Sequence, residues 1–250
     1  MHPQIYEDIY NAELTHWWFC GRLHIVTSLV RRFGSKSRPL RVADVGCGMG
    51  ASLEALGEFG WVAGLDYSAT ALGFSRRRGF PRLLAAALPS LPFPDSEFDV
   101  VCALDVIEHI DDDAAAVHEL WRVCKPGGLL VVTVPAYEWL WSEHDDINEH
   151  KRRYTRSLLR KRLTLPGGEF VRLSYMNMLF APPVMLFRLL RNLGGNKKRA
   201  ASDMRSDVFP LPRPVNAIFK FLFSSENIWL RYASLPFGIS LICILRKHES

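Results

Sequence analysis

The chain has 250 residues and 48% hydrophobic content, which is enough for one large α/β domain with its own core. Its five cysteines include no Cys-x-x-Cys pair and are odd in number, which excludes the usual zinc and disulfide frameworks. The net charge is +5, the N-terminal region lacks the apolar core of a signal peptide, and no apolar run reaches about 18 residues, so we expect a cytoplasmic protein.

The first predicted element precedes any strand. Apolar residues at helical spacing predict a helix over 12–33, within an N-terminal helical cap over 1–36. Residues 16–19 are unusually aromatic, and Arg22 follows them. Two interpretations remain open: the helix only packs on the sheet, or Trp17, Phe19 or Arg22 cover a ligand cleft.

The chain is organised around residues 40–50. A short apolar run ends at Val45 and predicts a strand that is covered on both faces of a parallel sheet. Glycines then permit a tight turn and a close approach of the backbone to a ligand, and a helix follows from Ala51. The next strand, 61–66, ends in Asp66, where a carboxylate can accept hydrogen bonds from ribose hydroxyls.

Asp44 followed by Gly46, Gly48 and Gly50 differs from the Gly-x-Gly-x-x-Gly dinucleotide fingerprint. The pattern resembles the first motif of the class I S-adenosylmethionine-dependent methyltransferases. A Pro-rich turn into a strand over 91–101 and the Lys-Pro-Gly-Gly sequence at 125–128 extend this resemblance across residues 40–135. The resemblance implies S-adenosylmethionine as the cofactor and S-adenosylhomocysteine as the product.

The resemblance also implies a cofactor site. In many relatives an Asp near the end of the third strand binds the adenine amine, but this chain has alanines at 85–87, so backbone groups near Ala87 and Leu88 are expected to take that part. Tyr67 is expected to lie against the adenine. The complete set of expected cofactor-binding residues is Asp44, Gly46, Cys47, Gly48, Gly50, Asp66, Tyr67, Ala87, Leu88, Leu104, Asp105 and His109.

Methyl transfer needs a positioned acceptor and, for a hydroxyl near neutral pH, a base. Three histidines are candidates: His109 after the fourth predicted strand, His144 beside Asp145, and His150 at the start of a basic run. His109 could instead only shape its loop, and His150 could bind an anionic group of the substrate. The spacing of Glu108, His109, His144 and Asp145 is not diagnostic of a metal site, so none is predicted.

Residues 151–162 contain seven Lys or Arg residues. Nucleic-acid binding would need interleaved aromatic side chains, and only Tyr154 is present, so a nucleic-acid partner is not expected. Apolar helices are predicted over 178–193 and 214–232, around a polar linker over 194–207. Three roles are open for these helices: they cover an acceptor pocket, contact a membrane surface or form a dimer surface. The expected substrate-binding residues are Trp17, Arg22, Tyr137, Trp141, Arg153 and Tyr154.

We therefore predict a single α/β domain over 1–250. It has a Rossmann-like, seven-stranded, mostly parallel sheet with an antiparallel last strand, helices on both faces and a helical insertion over about 178–232. Residues 37–135 form the cofactor-binding half and 136–250 the substrate-binding half. The resemblance, to quinone-biosynthesis and bacterial natural-product enzymes, implies methylation of a small, apolar or lipid-linked acceptor, on O rather than C or N. Alternatives are an RNA methyltransferase or a non-catalytic S-adenosylmethionine-binding protein. We expect a monomer or homodimer in the cytoplasm, with peripheral membrane contact as an option.

Overall fold

The computed structural model describes residues 3–193 and 211–248, so the predicted polar linker over 194–207 lies outside the described residues. One sheet forms the centre of the molecule. Its strands are β1 (Leu40–Val45), β2 (Gly60–Asp66), β3 (Leu83–Ala85), β4 (Phe98–Leu104), β5 (Cys124–Pro135), β6 (Gly168–Met176) and β7 (Ser240–Lys247).

The strand order is β3-β2-β1-β4-β5-β7-β6. The first five strands pair in parallel, and β7 lies antiparallel between β5 and β6. The central strands β1, β4 and β5 consist mainly of buried apolar residues, as expected for a parallel sheet covered on both faces. The predicted Rossmann-like α/β fold and its antiparallel last strand are confirmed.

Helices surround the sheet. They are α1 (Pro3–Ala12), α2 (Trp17–Phe33), α3 (Ala51–Leu56), α4 (Ala69–Arg77), α5 (Asp113–Val123), α6 (Glu143–Ile147), α7 (Arg156–Arg162), α8 (Ala181–Leu193) and α9 (Arg213–Leu230). Each helix of the described residues is too short or too polar to cross a bilayer.

Two local predictions were wrong. The predicted helix over 12–33 begins only at Trp17, because residues 13–16 form a turn after α1 and His16 caps α2 by accepting a hydrogen bond from the Trp18 N–H at 3.4 Å. The Lys-Pro-Gly-Gly sequence at 125–128, whose proline and glycines predict a turn that ends the preceding helix, forms instead the irregular start of β5. There the pairing with β4 skips to Val100 opposite Leu129, and Gly127 adopts a φ of +77°.

Side-chain caps mark the starts of α4 and α5. The Ser68 hydroxyl accepts a hydrogen bond from the Ala71 N–H at 3.2 Å at the start of α4. At the start of α5, the Asp112 carboxylate accepts one from the Ala115 N–H at 2.9 Å. These caps place the loops before α4 and α5 at the carboxyl ends of β2 and β4.

The helical insertion before β7 packs on the N-terminal helix. Phe223 of α9 is fully buried against Gly21 of α2, where an added Cβ would lie 2.4 Å from the Phe223 Cδ1 atom. Asn216, near the start of α9, accepts a hydrogen bond from the Trp17 N–H at 2.9 Å. Together α2, α8 and α9 cover the carboxyl edge of β4 and the end of β5.

A buried carboxylate holds the start of this insertion. Glu226 of α9 accepts hydrogen bonds from the backbone N–H groups of Asn177 and Met178 at 2.6 Å and of Leu179 at 3.1 Å. Asn177 is itself buried and has a φ of +61°. The single side chain therefore fixes the path of the backbone from β6 into α8.

Candidate functional site

The glycine turn after β1 is bonded to the end of β2. The N–H groups of Gly46 and Cys47 donate to the Leu65 carbonyl at 2.7 and 2.9 Å. The Gly48 N–H donates to Asp66 Oδ2 at 2.9 Å, and the Ser68 N–H donates to Asp66 Oδ1 at 2.8 Å. Each carboxylate oxygen of Asp66 thus has one backbone donor and keeps a further lone pair for a ligand.

The turn is crowded at one glycine and open at another. Gly46 has a φ of +77°, and a Cβ there would lie 2.4 Å from a methyl group of Val106. Gly48 has a φ of +54°, and a Cβ there would meet no atom within 4 Å. The backbone at Gly48 therefore faces open space. This is expected of a backbone that a ligand approaches closely.

Asp44 lies behind this turn rather than in front of it. Its side chain is 1% exposed and accepts a hydrogen bond from the Ser52 hydroxyl of α3. Burial raises the pKa of Asp44 to about 6, against the opposing effect of that hydrogen bond. Burial also raises the pKa of the Cys47 thiol, so Cys47 is a packing residue and not a nucleophile.

The predicted adenine side lies beside Asp66. Tyr67, the residue after Asp66, is 78% exposed, so its ring is accessible to a ligand. The Ala86 N–H donates to the Asp66 carbonyl at 3.1 Å, which brings the segment after β3 next to that residue. Within this segment Ala87 is exposed and Leu88 is half-buried.

A cavity of about 670 Å³ lies between α2, the carboxyl end of β4, the loop after β5 and helices α8 and α9. No residue of the glycine turn lines it, and its nearest link to the turn is β4, which pairs with β1. Eight residues predicted for the site line it, and they come from segments far apart in the sequence. They are Trp17, Arg22, Leu104, Asp105, His109, His144, His150 and Arg153.

At one end of the cavity Arg22 and Asp105 form an ion pair. The Arg22 guanidinium also lies 4.6 Å from the centre of the Trp18 ring. Asp105 follows β4 directly, has a φ of +59° and donates its N–H to the Thr133 carbonyl of β5 at 3.0 Å. The N-terminal cap is therefore bound to the carboxyl end of β4, where ligands of open α/β sheets bind.

Aromatic rings form one wall of the cavity. The Trp17 ring centre lies 4.7 Å from that of Phe180 and 5.7 Å from that of Phe219. Sequence reasoning missed Phe180 and Phe219. The apolar periodicity of 178–232 indicated a roof, but it did not say which side chains face inward.

Three histidines meet at another part of the lining. The ring centres of His109 and His150 are 4.7 Å apart, and those of His144 and His150 are 6.2 Å apart. Burial, followed by the neighbouring His150, lowers the pKa of His109, so its imidazole is neutral at neutral pH. Beside them Glu108 is fully buried, and burial followed by the nearby Asp105 raises its pKa well above the usual range.

His150 is oriented by a buried carboxylate. Its Nδ1 atom lies 2.8 Å from Asp145 Oδ1, and Arg153 donates to both oxygens of Asp145 at 2.8 and 2.9 Å. Although burial opposes ionisation, the hydrogen bonds from His150 and Arg153 hold the pKa of Asp145 below its ordinary value. Arg153, predicted to bind substrate, thus lines the cavity while its charge is paired inside the protein.

Three predicted substrate residues lie away from the cavity lining. Tyr154 is fully buried and donates its hydroxyl to Asp113 Oδ2 at 2.9 Å, so it is a core residue and its prediction as a substrate ligand does not fit this position. Tyr137 stacks on Tyr175 with ring centres 5.2 Å apart. Trp141 donates its indole N–H to Asp146 at 2.9 Å.

Part of the basic run over 151–162 is paired with acidic side chains within the fold. Arg152 and Arg162 form ion pairs with the buried Asp113 at 3.0 and 2.9 Å, and Lys151 lies 3.7 Å from Asp111. With Arg153 paired to Asp145, four of the seven basic side chains have acidic partners. This pairing removes part of the cationic surface on which RNA binding would depend.

Comparison with known proteins agrees with this geometry. The family model described as Methyltransferase domain matches residues 43–132. A probable S-adenosylmethionine-dependent methyltransferase of Mycolicibacterium smegmatis is 35% identical over 123 residues, covering 48% of this chain and 46% of that protein. The chain thus spans about half the length of this relative.

Two further similarities cover more of the chain. The ubiquinone biosynthesis O-methyltransferase of Thiobacillus denitrificans is 29% identical over 204 residues, covering 73% of this chain and 79% of that protein. A chain from the complex of the Haloferax volcanii Trm112 methyltransferase activator with its partner has a TM-score of 0.62 and 20% identity. That similarity covers 99% of this chain and 96% of the other, and it supports the fold.

Proposed function

We propose that this chain, which belongs to the class I S-adenosylmethionine-dependent methyltransferases, methylates an oxygen of a small, apolar or lipid-linked acceptor. The observation that carries the proposal is the cavity of about 670 Å³ at the carboxyl end of β4, the strand that pairs with β1 before the glycine turn. It combines an aromatic wall with histidines and an ion pair at the carboxyl edge of the sheet.

The residues around the glycine turn fit S-adenosylmethionine. The open space at Gly48 would be filled by any side chain, which is the property expected of a backbone that lies against a ligand. Asp66 keeps acceptor capacity for two ribose hydroxyls, and the exposed Tyr67 ring can stack on the adenine. Gly46 and Cys47, with Asp44 behind them, would hold the shape of the turn.

The remaining proposed contacts lie on either side of this centre. The backbone near Ala87 and Leu88 would contact the adenine, because the Ala86–Asp66 hydrogen bond holds that segment close. Leu104 and Asp105 would lie at the methionine end, because they line the cavity at the end of β4. Arg22 would hold Asp105 in place through their ion pair.

The cofactor supplies an electrophilic methyl group on a sulfonium. The protein's part is to hold the acceptor hydroxyl in line with that methyl and to accept the hydroxyl proton. His109, His144 and His150 all line the cavity and are the proposed proton acceptors. Because Asp145 and Arg153 fix His150, its ring can orient a substrate without moving.

The acceptor class follows from the walls of the cavity and from the outer faces of its roof. The cavity is lined by Phe180 directly before α8, by Val184 of α8 and by Phe219 of α9. The same two helices expose large apolar side chains on their outer faces, each more than half accessible: Leu186, Phe187, Leu189, Leu190, Ile218, Phe221, Ile228 and Trp229. An apolar acceptor could therefore pass from a lipid surface into the cavity along these helices.

We propose accordingly that the protein works in the cytoplasm, in peripheral contact with an anionic membrane. Arg213 and Lys220 of α9 are exposed beside the apolar face and would add electrostatic attraction. All five cysteines are free, as suits a reducing compartment. A small-molecule or lipid-linked substrate is the proposed partner.

The first experiment is calorimetric titration of the purified protein with S-adenosylmethionine and S-adenosylhomocysteine. We expect saturable binding of both, lost in Asp66→Ala and kept in Asp95→Ala, which changes an exposed carboxylate away from the turn. Mass spectrometry would then detect a gain of one methyl group on phenols, quinols or lipid-linked acceptors. Cofactor binding without turnover on any acceptor would favour the non-catalytic alternative.

Membrane contact is tested separately by sedimentation with phosphatidylglycerol vesicles. Phe221→Ser combined with Trp229→Ser should reduce the bound fraction, because both side chains are more than 60% exposed on α9. Trp139→Ser is the control, since Trp139 is 48% exposed on the loop after β5. Equal binding by all three proteins would contradict the proposed membrane surface and leave the cofactor proposal intact.

A further inference from the structure

Glu108 presents an unusual arrangement for a carboxylate. Its side chain is completely buried, it lines the cavity, and neither of its oxygens has a hydrogen-bond partner. A buried carboxyl group without a partner is costly, and such groups in native proteins are normally compensated by a hydrogen bond, a counter-charge or a metal ion. The structure therefore calls for a positively charged or hydrogen-bonding partner at this point of the cavity.

Two imidazoles lie where that partner would bind. Single ligand-type atoms from Glu108, His109 and His150 all lie within 4.8 Å of one another. The ring centres of His109 and His150 lie 4.7 Å apart with their planes at 81°, so the edge of one ring faces the other ring. Metal–ligand bonds of about 2 Å place the ligands of one ion roughly 3.3 Å apart, so inward movements of about 1 Å would complete the coordination.

The neighbouring residues favour ligation by these histidines. Asp145 accepts a hydrogen bond from His150 Nδ1 at 2.8 Å, which leaves the Nε2 lone pair for a ligand. Metal-binding histidines are typically oriented by a carboxylate in this way. The backbone carbonyl of Asn148 is a hydrogen-bond partner of the His109 ring and fixes that ring likewise.

We propose that Glu108, His109 and His150 form a binding site for one divalent first-row transition-metal ion. Two imidazoles and one carboxylate suit Zn²⁺, Mn²⁺ or Fe²⁺ better than Mg²⁺, which prefers oxygen ligands. Three protein ligands leave coordination positions that face the cavity. The role of the metal in methyl transfer rests on the proposed function. An acceptor hydroxyl bound to the ion would lose its proton more readily. His144, which is not a ligand, would then accept that proton.

Metal binding is tested without cofactor or acceptor. Protein stripped with a chelator is titrated calorimetrically with Zn²⁺, Mn²⁺ and Mg²⁺, and Co²⁺ is used to record ligand-field absorption. We expect one Zn²⁺ or Mn²⁺ per chain and a tetrahedral or five-coordinate Co²⁺ spectrum, with much weaker binding of Mg²⁺. Glu108→Gln and His150→Ala should abolish both signals.

Two histidine variants serve as controls. His118 is exposed on α5, and His144 lies in the same cavity but outside the group of three. His118→Ala and His144→Ala should each keep one bound ion. Thermal unfolding gives a second measurement: the ion should raise the midpoint of the wild type and not that of Glu108→Gln. Without metal, Glu108→Gln should be at least as stable as the wild type, because it removes an unpaired buried carboxylate.

The proposal is overturned if the wild type binds no ion, or if Glu108→Gln binds it as tightly as the wild type. The same preparations are titrated with S-adenosylhomocysteine, which reports on the cofactor site alone. Metal binding without cofactor binding would refute the proposed function and keep the metal site. Cofactor binding without metal binding would refute the metal site and keep the proposed function.

Discussion

The substitution Gly48→Ala tests whether the cofactor lies against the backbone of the glycine turn, because its effect on cofactor affinity can be measured apart from its effect on folding stability. The residue has a φ of +54°, and an added Cβ would meet no protein atom within 4 Å. The substitution therefore costs only backbone strain, about 1–2 kcal/mol of folding free energy. Gly79, after α4, provides the matched control, because its φ is +87° and its Cβ would likewise meet nothing within 4 Å.

The two variants should differ in cofactor affinity. At Gly48 the new methyl group would occupy space proposed for the cofactor, and overpacking of that kind costs about 1–3 kcal/mol. This corresponds to roughly 5- to 150-fold weaker binding of S-adenosylmethionine. At Gly79 the affinity should stay at the wild-type value, because that residue lies at the far end of α4.

Calorimetric titration gives the affinities, and urea unfolding gives the stabilities of the three proteins. Equal losses of stability with a loss of affinity only in Gly48→Ala would support the proposed contact. If Gly48→Ala binds as tightly as Gly79→Ala, the cofactor does not approach the backbone there, and the assignment of the turn is refuted.

Three further predictions concern the scaffold. Glu226→Gln leaves one acceptor oxygen for the three backbone N–H groups that Glu226 binds, of which that of Asn177 is buried, so urea titration should show a loss of about 1–3 kcal/mol. No loss would mean that other groups accept these hydrogen bonds. Gly21→Ala places a Cβ 2.4 Å from Phe223 and should cost about 1–3 kcal/mol in the same assay, unless α9 can shift away. Burial raises the pKa of Glu13 from 4.5 to about 7, so the folded state binds more protons than the unfolded state between these values. Its contribution to the free energy of unfolding should therefore fall by up to about 3 kcal/mol as the pH rises from 4.5 to 7. Glu13→Gln should remove this fall, and parallel pH curves for the two proteins would contradict the reasoning.

The sequence predicted the elements that local patterns determine. The strand before Asp44, the glycine turn and the acid at Asp66 follow from apolar runs, glycine chemistry and the position of an acid at a strand end. The antiparallel last strand came from the family resemblance and is confirmed, since β7 pairs antiparallel with β5. No periodicity in the chain itself specifies that direction.

The sequence predicted much less of the cavity, because its walls depend on contacts between distant segments. Tyr154 stands in a run of charges, and only the fold reveals that Asp113 of α5 binds its hydroxyl in the core. His109 and His150 were separate alternatives along the chain, yet their rings lie 4.7 Å apart. Both follow strand ends at the carboxyl edge of the sheet, and that rule could have brought them together.

The contact between α2 and α9 has a consequence for how the cavity opens. Asn216 binds the backbone of Trp17 and Thr15, and Asn227 lies 2.8 Å from the ring of His24, so the two helices are joined along their length. Segments almost 200 residues apart in sequence then unfold locally as one cooperative unit. Their amide protons should exchange with solvent at a common rate, and a ligand that occupies the cavity should slow that exchange in both helices together.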